Sequence, residues 1–153
     1  MRSPMNAVWT IAAALLGATA SLGAEDTRDL ELLLRQAEVT YSARGEGTFE
    51  VPIRGENGLH SLIVRRVDGV LGIWCTPYAL AEPQVPGRVW AYLAEVNAQS
   101  RLAHVGYAQG RFVVVTGHAI DRVTPAMLKL MVMDVAIVSD TLLPKLKAML
   151  ATE

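Results

Sequence analysis

The sequence predicts an α+β fold in which helices pack on an antiparallel sheet. Three strand-like runs between residues 48 and 76 are separated by short turn sequences, which is typical of a meander. Two more runs flank Gln109-Gly110 and predict a hairpin. Apolar residues at helical spacing come before, between and after these strands. The predicted order of elements is therefore α-β(meander)-α-ββ-α.

Residues 1–20 are predicted to be a secretory signal peptide. Arg2 is the only charged residue before Glu25, and it is followed by the apolar run MNAVWTIAAALLG and the small-residue stretch ATASLGA. This order matches the three regions of a signal peptide, with Ala18-Thr19-Ala20 as the best cleavage site. Cleavage as late as residue 24 is an alternative.

An uncleaved membrane anchor is the other interpretation of this segment. Spanning a bilayer takes roughly 20 apolar residues, and the run is shorter, so cleavage is favoured. We therefore expect a periplasmic or secreted protein with no membrane contact after cleavage, and a single domain over residues 25–153.

The charge of the chain argues against nucleic acid as a partner. The net charge is −1 at pH 7, and removal of residues 1–20 takes away Arg2 and no acid, which leaves −2. A nearly neutral domain lacks the basic surface that attracts nucleic acids and anionic lipids. The single Cys allows no internal disulfide, so stability must come from one hydrophobic core.

A short amphipathic helix is the first element after the signal segment. Its apolar residues follow the spacing i, i+3, i+4, i+7: Leu30, Leu33, Leu34 and Ala37. Val39 and Tyr41 alternate with polar residues after it, which predicts that the chain enters the sheet there as an edge strand.

The meander follows with clear turn signals. In TFEVPI the apolar residues alternate, and Pro52 favours an edge or a strand end because it has no N–H to donate. Asn57-Gly58 separates this run from LHSLIVRR, and Asp68-Gly69 separates that run from VLGIWCT. Both dipeptides predict tight turns between antiparallel strands.

The second half of the chain is predicted to contain a loop, a helix, the hairpin and a last helix, in that order. PYALAEPQVPG contains three prolines and predicts a loop, and RVWAYLAEVNAQSR has helical spacing. The hairpin strands are LAHVGYA and RFVVVTGHA. Thr124-Pro125 predicts the start of a long helix toward Leu150, which is bent or interrupted at Pro144 and has Asp134 on its solvent-exposed side.

The layout and several stretches resemble the YbjN family of small bacterial proteins over about residues 28–150. The stretches are LELLLRQAEVTYS, FEVPI, VWAYLAEVNAQSRLAHVGY and RFVVVTGHAIDRVTPAMLKLMVMDVAIVSDTLLPKL. Members are labelled sensory transduction regulators, and the resemblance implies a dimeric, protein-binding domain like the class I chaperones of type III secretion. The stretches contain no catalytic fingerprint. The predicted signal peptide departs from those chaperones, which are cytoplasmic.

Cys75, in the stretch GVLGIWCTPYAL, is predicted to be a buried structural residue and not a reactive centre. It shares strand parity with Leu71 and Ile73, and an apolar strand environment disfavours the thiolate. No second Cys exists to complete a C-x-x-C motif. We therefore expect Cys75 to be poorly accessible and dispensable for activity.

The three histidines form no recognisable catalytic or metal-binding motif. His60, His104 and His118 are 44 and 14 residues apart, whereas a zinc site needs three or four convergent ligands. We predict no catalytic, metal-binding or cofactor-binding residues, and we expect His60 and His118 to be solvated near strand ends. The alternative is a small hydrolase or metal-dependent enzyme in which the fold brings His60 and His118 together.

The last predicted helix carries more apolar residues than one core-facing stripe needs. Such a helix is usually buried on more than one side, either deep in the core or beneath a partner, and Met-rich surfaces adapt well to partners. The residues predicted to bind a protein or peptide are Trp74, Met127, Met131, Val135 and Val138.

The central strands are apolar on both faces, in residues 70–75 and again in 112–115. An antiparallel sheet with one solvated face should alternate apolar and polar residues. Either the helices divide between the two faces, or another chain covers one of them. We predict a homodimer with the central strands or the last helix in the contact. The sequence therefore predicts an exported, non-catalytic protein-binding or chaperone-like regulatory domain of the bacterial envelope.

Overall fold

The computed structural model describes residues 24–79 and 85–151. The predicted signal peptide lies outside these ranges. Helix α1 (Ala24–Gln36) buries Leu30 and Leu34, as the predicted spacing requires. In the described ranges we find no helix whose length and apolar character would allow it to cross a membrane.

The described strands form one antiparallel sheet, which confirms the predicted α+β fold. They are β1 (Ser42–Gly45), β2 (Thr48–Arg54), β3 (Leu59–Val67), β4 (Val70–Ala79), β5 (His104–Ala108) and β6 (Arg111–Ala119). Their order across the sheet is β1-β2-β3-β4-β6-β5. The meander therefore occupies one side of the sheet, and the hairpin is added to it through pairing of β6 with β4.

Tight turns form at Asp68-Gly69 and Gln109-Gly110 as predicted, with both residues of each pair at positive φ. A further turn of this kind at Glu46-Gly47 joins β1 to β2. The edge strand consequently starts later than predicted. Val39 and Tyr41 precede β1 and pack against the core, because the chain must first turn back from the end of α1.

Two further α-helices follow the meander. Helix α2 (Gly87–Gln99) precedes β5, and helix α3 (Pro125–Leu150) follows β6 and a short 3-10 turn (Ile120–Arg122). The hydroxyl oxygen of Thr124 accepts a 3.2 Å hydrogen bond from the N–H of Met127, so Thr124 caps α3 as predicted.

The main core lies between the helices and one face of the sheet. Leu34 of α1, Leu93 of α2 and Val135 of α3 are buried in it together with alternate residues of the strands, such as Ile73 and Val114. Because successive strand residues point to opposite faces, the residues between them point away from the described helices.

Helix α3 is not interrupted at Pro144 but continues to Leu150. Proline has no N–H, so the carbonyl of Asp140, four residues earlier, receives no helical hydrogen bond from it. The side-chain amide of Asn57 donates to this carbonyl at 3.0 Å instead. The β2–β3 turn thus supplies a hydrogen-bond donor to the carbonyl that Pro144 leaves without one.

Candidate functional site

Exposed apolar side chains line the side of α3 that faces away from the core. Leu130, Met133 and Ile137 follow the spacing i, i+3, i+7 and are 61%, 45% and 57% exposed. We call these three residues the outer stripe. Isolated apolar residues on a surface are ordinary, whereas a contiguous apolar patch is a candidate site of interaction.

The outer stripe continues into a shallow groove of about 400 Å³ between α2 and α3. Ile137 lines this groove, and at its far side the Lys145 ammonium lies 5.2 Å from the centre of the Tyr92 ring. Burial, together with the nearby charge of Glu95, raises the pKa of Tyr92. The remaining lining residues include the apolar Val96, Val138 and Leu142.

The residues predicted to bind a partner do not lie on one exposed surface. Met131 and Val135 are buried in the main core, and Met127 and Val138 are partly buried against it. Trp74 lies on a different part of the molecule. The outer stripe was missed, because α3 is apolar on two sides and periodicity alone does not show which side faces the sheet.

Trp74 belongs to a second apolar cluster on the sheet face opposite the main core. Its neighbours Ile73 and Cys75 point into that core, so Trp74 points away from it. Trp74 is paired across the strands with Val115. The described members, which we call the strand cluster, all come from strands: Ile63, Val67, Trp74, Ala108, Val113 and Val115.

Asp140 of α3 is held by the β2–β3 turn. Its carboxylate accepts hydrogen bonds from the N–H groups of Glu56 at 3.0 Å and Asn57 at 2.9 Å, and from the Asn57 amide at 3.2 Å. Its Oδ1 also lies 2.8 Å from Nε2 of His60. A Cβ added at Gly55 would overlap the carboxylate, so only glycine permits this close approach.

The hydrogen bond with His60 lowers the pKa of Asp140 most, and the contacts with Glu56 and Asn57 lower it further. Together they outweigh burial, which acts to raise this pKa. His60 is only 4% exposed, so the expectation that it is solvated is wrong. This end of β3 is covered by α3. The Asp140 carboxylate replaces the water that would otherwise hydrogen-bond to His60. This imidazole ties the sheet to the helix.

The structure does not bring His60 and His118 together. His118 pairs with Leu71, and Leu71 pairs with Arg66. His60 lies six residues farther along β3, which corresponds to about 20 Å along the strand. Within the described residues, no group of three or more His, Cys, Asp or Glu side chains could hold a metal ion.

Cys75 is a buried free thiol, as predicted. Burial raises the pKa of this thiol, and the neighbouring Ser139 hydroxyl offsets part of the effect. The thiol is therefore protonated at neutral pH and is a poor nucleophile.

Two polar side chains fix the connection between α2 and β5. The carboxylate of Asp134 accepts from the N–H groups of Leu102 and Ala103 at 2.9 and 2.7 Å, so it is a partly buried anchor and not a solvated residue of α3. Asn97 donates to the carbonyl of Val105 at 2.9 Å and accepts from its N–H at 2.6 Å. These long-range contacts have no local sequence signal.

Comparison with known proteins gives a family and a fold. The YbjN family model, described as "Putative bacterial sensory transduction regulator", matches residues 27–148. No curated protein sequence matches the chain. A chain in the structure of the HopA1-SchA chaperone–effector complex superposes with a TM-score of 0.56 at 10% identity, covering 80% of this chain and 98% of that one.

The crystal structure of YbjN from E. coli, described as "a putative transcription regulator", superposes with a TM-score of 0.57 at 14% identity. The match covers 86% of this chain and 96% of that one. At these identities the two structures establish the shared fold, which includes the chaperone-like arrangement predicted from the sequence.

Proposed function

The chain belongs to the YbjN family, and on this premise we propose that it is an exported, non-catalytic regulatory domain that binds a protein partner as a chaperone does. The family description supports the regulatory role. The fold shared with a chain of a chaperone–effector complex supports protein binding.

The outer stripe of α3 is the observation that carries this proposal. Leu130, Met133 and Ile137 leave apolar surface in water, and covering it with apolar side chains of another protein is favourable by roughly 25 cal/mol per Å². Methionine adapts its shape to different partners, which suits a domain that holds flexible segments.

The adjoining groove defines the chemistry of the partner. Its lining combines apolar side chains with charges of both signs, from Glu95, Arg101, Asp134 and Lys145. A lining of mixed sign does not select strongly for an acidic or a basic partner. The surface is therefore suited to an amphipathic segment whose apolar side enters the groove.

Self-association is the second part of the proposal. Two-fold dimers are the commonest assemblies of one chain with another copy, and the outer stripe leaves apolar surface for such a contact. Val67, Trp74, Val113 and Val115 of the strand cluster are only 2–8% exposed in the single chain, so we place the dimer contact at α3. A net charge of −2 per mature chain opposes this contact only weakly.

The N-terminal segment supports export as part of this proposal. Cleavage after Ala20 would release a mature chain that starts at Ser21 in the periplasm or outside the cell. N-terminal sequencing of native protein tests this directly. A start at or near Ser21 is expected, and an intact Met1 in the membrane fraction would contradict it.

Partner binding is tested by comparing three versions of the protein. The double variant Met133→Lys/Ile137→Lys places two charges on the outer stripe, and Leu32→Lys introduces a charge at a site on α1 that is 55% exposed. Tagged proteins are recovered from cell envelopes, and retained proteins are quantified by mass spectrometry. We expect the same partner with wild type and Leu32→Lys, and at least a tenfold loss with the double variant. Equal recovery by all three folded proteins would contradict the proposal.

A further inference from the structure

The β2–β3 turn contains the dipeptide Asn57-Gly58, a sequence in which asparagine is chemically reactive. The peptide nitrogen of the following residue can attack Cγ of the asparagine side chain, and glycine has no side chain to shield that nitrogen. The other two asparagines of the chain, Asn6 and Asn97, are each followed by alanine. On sequence grounds, Asn57 is therefore the most reactive asparagine of the chain.

The reaction at such a dipeptide is deamidation, and it needs only water. The Gly58 nitrogen loses its proton and forms a bond with Cγ of Asn57, while the bond from Cγ to Nδ2 breaks and ammonia leaves. Water then opens the resulting five-membered succinimide at one of its two carbonyl carbons. The product at position 57 is aspartate or its β-linked isomer, isoaspartate. In total one water molecule is consumed and one ammonia is released.

The surroundings of the dipeptide leave room for this reaction. Asn57 is exposed, so water and hydroxide reach its side chain. A Cβ added at Gly58 would have no atom within 4 Å, so the space beside this residue is open. The reaction is therefore not blocked by neighbouring atoms, and its rate depends on how firmly Asn57 is held.

Asp140 of α3 holds Asn57 at both its backbone and its side chain. The N–H of Asn57 donates to the Asp140 carboxylate at 2.9 Å, and Nδ2 donates to the Asp140 carbonyl at 3.0 Å and to the carboxylate at 3.2 Å. Nδ2 is the leaving group, so its two bonds must break before ammonia can leave. The same bonds restrict rotation of the side chain. Deamidation should therefore be fastest when the turn separates from α3.

Deamidation would also remove the contact that held the turn. A carboxylate at position 57 has no N–H to donate, so the Asp140 carbonyl, which Pro144 leaves without a helical donor, would lose its partner. The new negative charge would lie beside the Asp140 carboxylate and be repelled by it. Isoaspartate would also lengthen the backbone within a turn that the Gly55 N–H closes by donating to the Gly58 carbonyl at 2.8 Å. Either product thus opposes return of the turn to α3.

We propose that Asn57 is a deamidation site protected by its contact with Asp140, and that modification there makes separation of the β2–β3 turn from α3 irreversible. Asp140 lies three residues after Ile137, so the released part of α3 adjoins the outer stripe. The modification is a slow, one-way loosening of the helix that carries this stripe. It requires no partner, so it stands apart from the proposed protein binding.

Protection is tested by incubating the protein at mildly alkaline pH and following deamidation by peptide mass spectrometry, with Asn97 as the internal reference. Asp140→Ala removes the carboxylate, and Gly55→Ala displaces the turn because its Cβ would overlap that carboxylate. Met131→Ala, a core variant away from the turn, is the control for general loss of stability. We expect Asn57 to deamidate about tenfold or more faster in folded Asp140→Ala and Gly55→Ala than in wild type, and much less so in Met131→Ala.

Two results would overturn the protection. One is an equal rate in wild type and both folded turn variants, and the other is the same acceleration in Met131→Ala. A comparison within wild type covers the case in which neither turn variant folds. Asn57 should deamidate about tenfold or more slowly in native buffer than in denaturing urea, and equal rates there would contradict the proposal.

The consequence is tested with Asn57→Asp, which reproduces the aspartate product. We expect its melting temperature to fall by about 3 °C or more, and hydrogen exchange to rise in the β2–β3 turn and in α3 near Asp140. Gln109→Glu places the same charge in the exposed β5–β6 turn and is the matched control. An unchanged melting temperature and unchanged exchange in Asn57→Asp would show that modification does not release the turn.

Discussion

Asp140 shows how one side chain can join distant parts of this chain. Its carboxylate binds backbone and side-chain groups of the β2–β3 turn more than 80 residues away, and its carbonyl accepts from Asn57 because Pro144 lacks an N–H. The turn and the proline can each be recognised from the local sequence. The contact between Asp140 and this turn depends on how α3 packs across the sheet, and no local sequence pattern indicates that packing.

The first prediction concerns acid stability at Asp140. Its pKa is lower in the folded protein than in the unfolded chain, so its contribution is complete above the unfolded value of about 3.9 and is lost as the pH falls through the folded value. Asp140→Asn should lower the melting temperature at pH 7 and reduce the loss of stability between about pH 5 and pH 2.

Because Glu31 and Glu50 also have lowered pKa values, the quantity to measure is the difference in melting temperature between wild type and Asp140→Asn at each pH. The exposed Asp121→Asn is the control; an Asp140→Asn curve parallel to that of wild type would contradict the prediction.

Cys75 gives the second prediction at this scale. Burial raises the pKa of its thiol and blocks access to it, so labelling requires local opening of the sheet. A thiol reagent at pH 7 should react more than about 100-fold more slowly with folded than with unfolded protein. Cys75→Ala should retain partner binding. Fast labelling of the folded protein would contradict the structural role.

At the scale of elements, the strands could be predicted better than the orientation of the last helix. Asp68-Gly69 and Gln109-Gly110 adopt the positive φ values that such pairs favour, so these two hairpins follow from local sequence. Helix α3 has apolar residues both at Met131, in the core, and at Met133, in solvent. Its limits could be predicted from Thr124-Pro125, but its rotation depends on packing against the whole sheet.

The third prediction tests this rotation with two methionines on the same helix. Met131→Ala should destabilise the protein by about 2–5 kcal/mol, because it leaves a cavity in the main core. Met133→Ala should change the free energy of unfolding by no more than about 0.5 kcal/mol, because its side chain is in the exposed outer stripe. Urea denaturation of both variants measures the difference. Equal effects would mean that α3 is rotated from the position described here.

At the scale of the whole molecule, the described helices lie on one side of a sheet that is apolar on both. The expectation that another chain covers the second side came from residues 70–75 and 112–115. Trp74, Val113 and Val115 on that side are at most 8% exposed within the single chain, so these strands do not by themselves require a second chain. A contact between chains is a property of an assembly, and one sequence does not encode it in any local pattern.

The fourth prediction is that the mature protein is a homodimer. Light scattering at micromolar concentrations should give twice the mass of the chain, with dissociation on dilution if the contact is weak. Met133→Lys should shift the protein toward the monomer, because it places a charge on the exposed apolar surface of α3. A monomer mass that persists as the concentration rises would contradict the prediction.

Photo-crosslinking in living cells tests most directly whether the outer stripe contacts another protein. A photoreactive amino acid is placed at Met133 and, as a control, at the exposed Leu32 of α1. We predict a discrete protein adduct at position 133 and none at position 32, with the mass of the adduct showing whether the partner is a second copy or a different protein. No adduct at position 133, or the same adducts at both positions, would contradict the account.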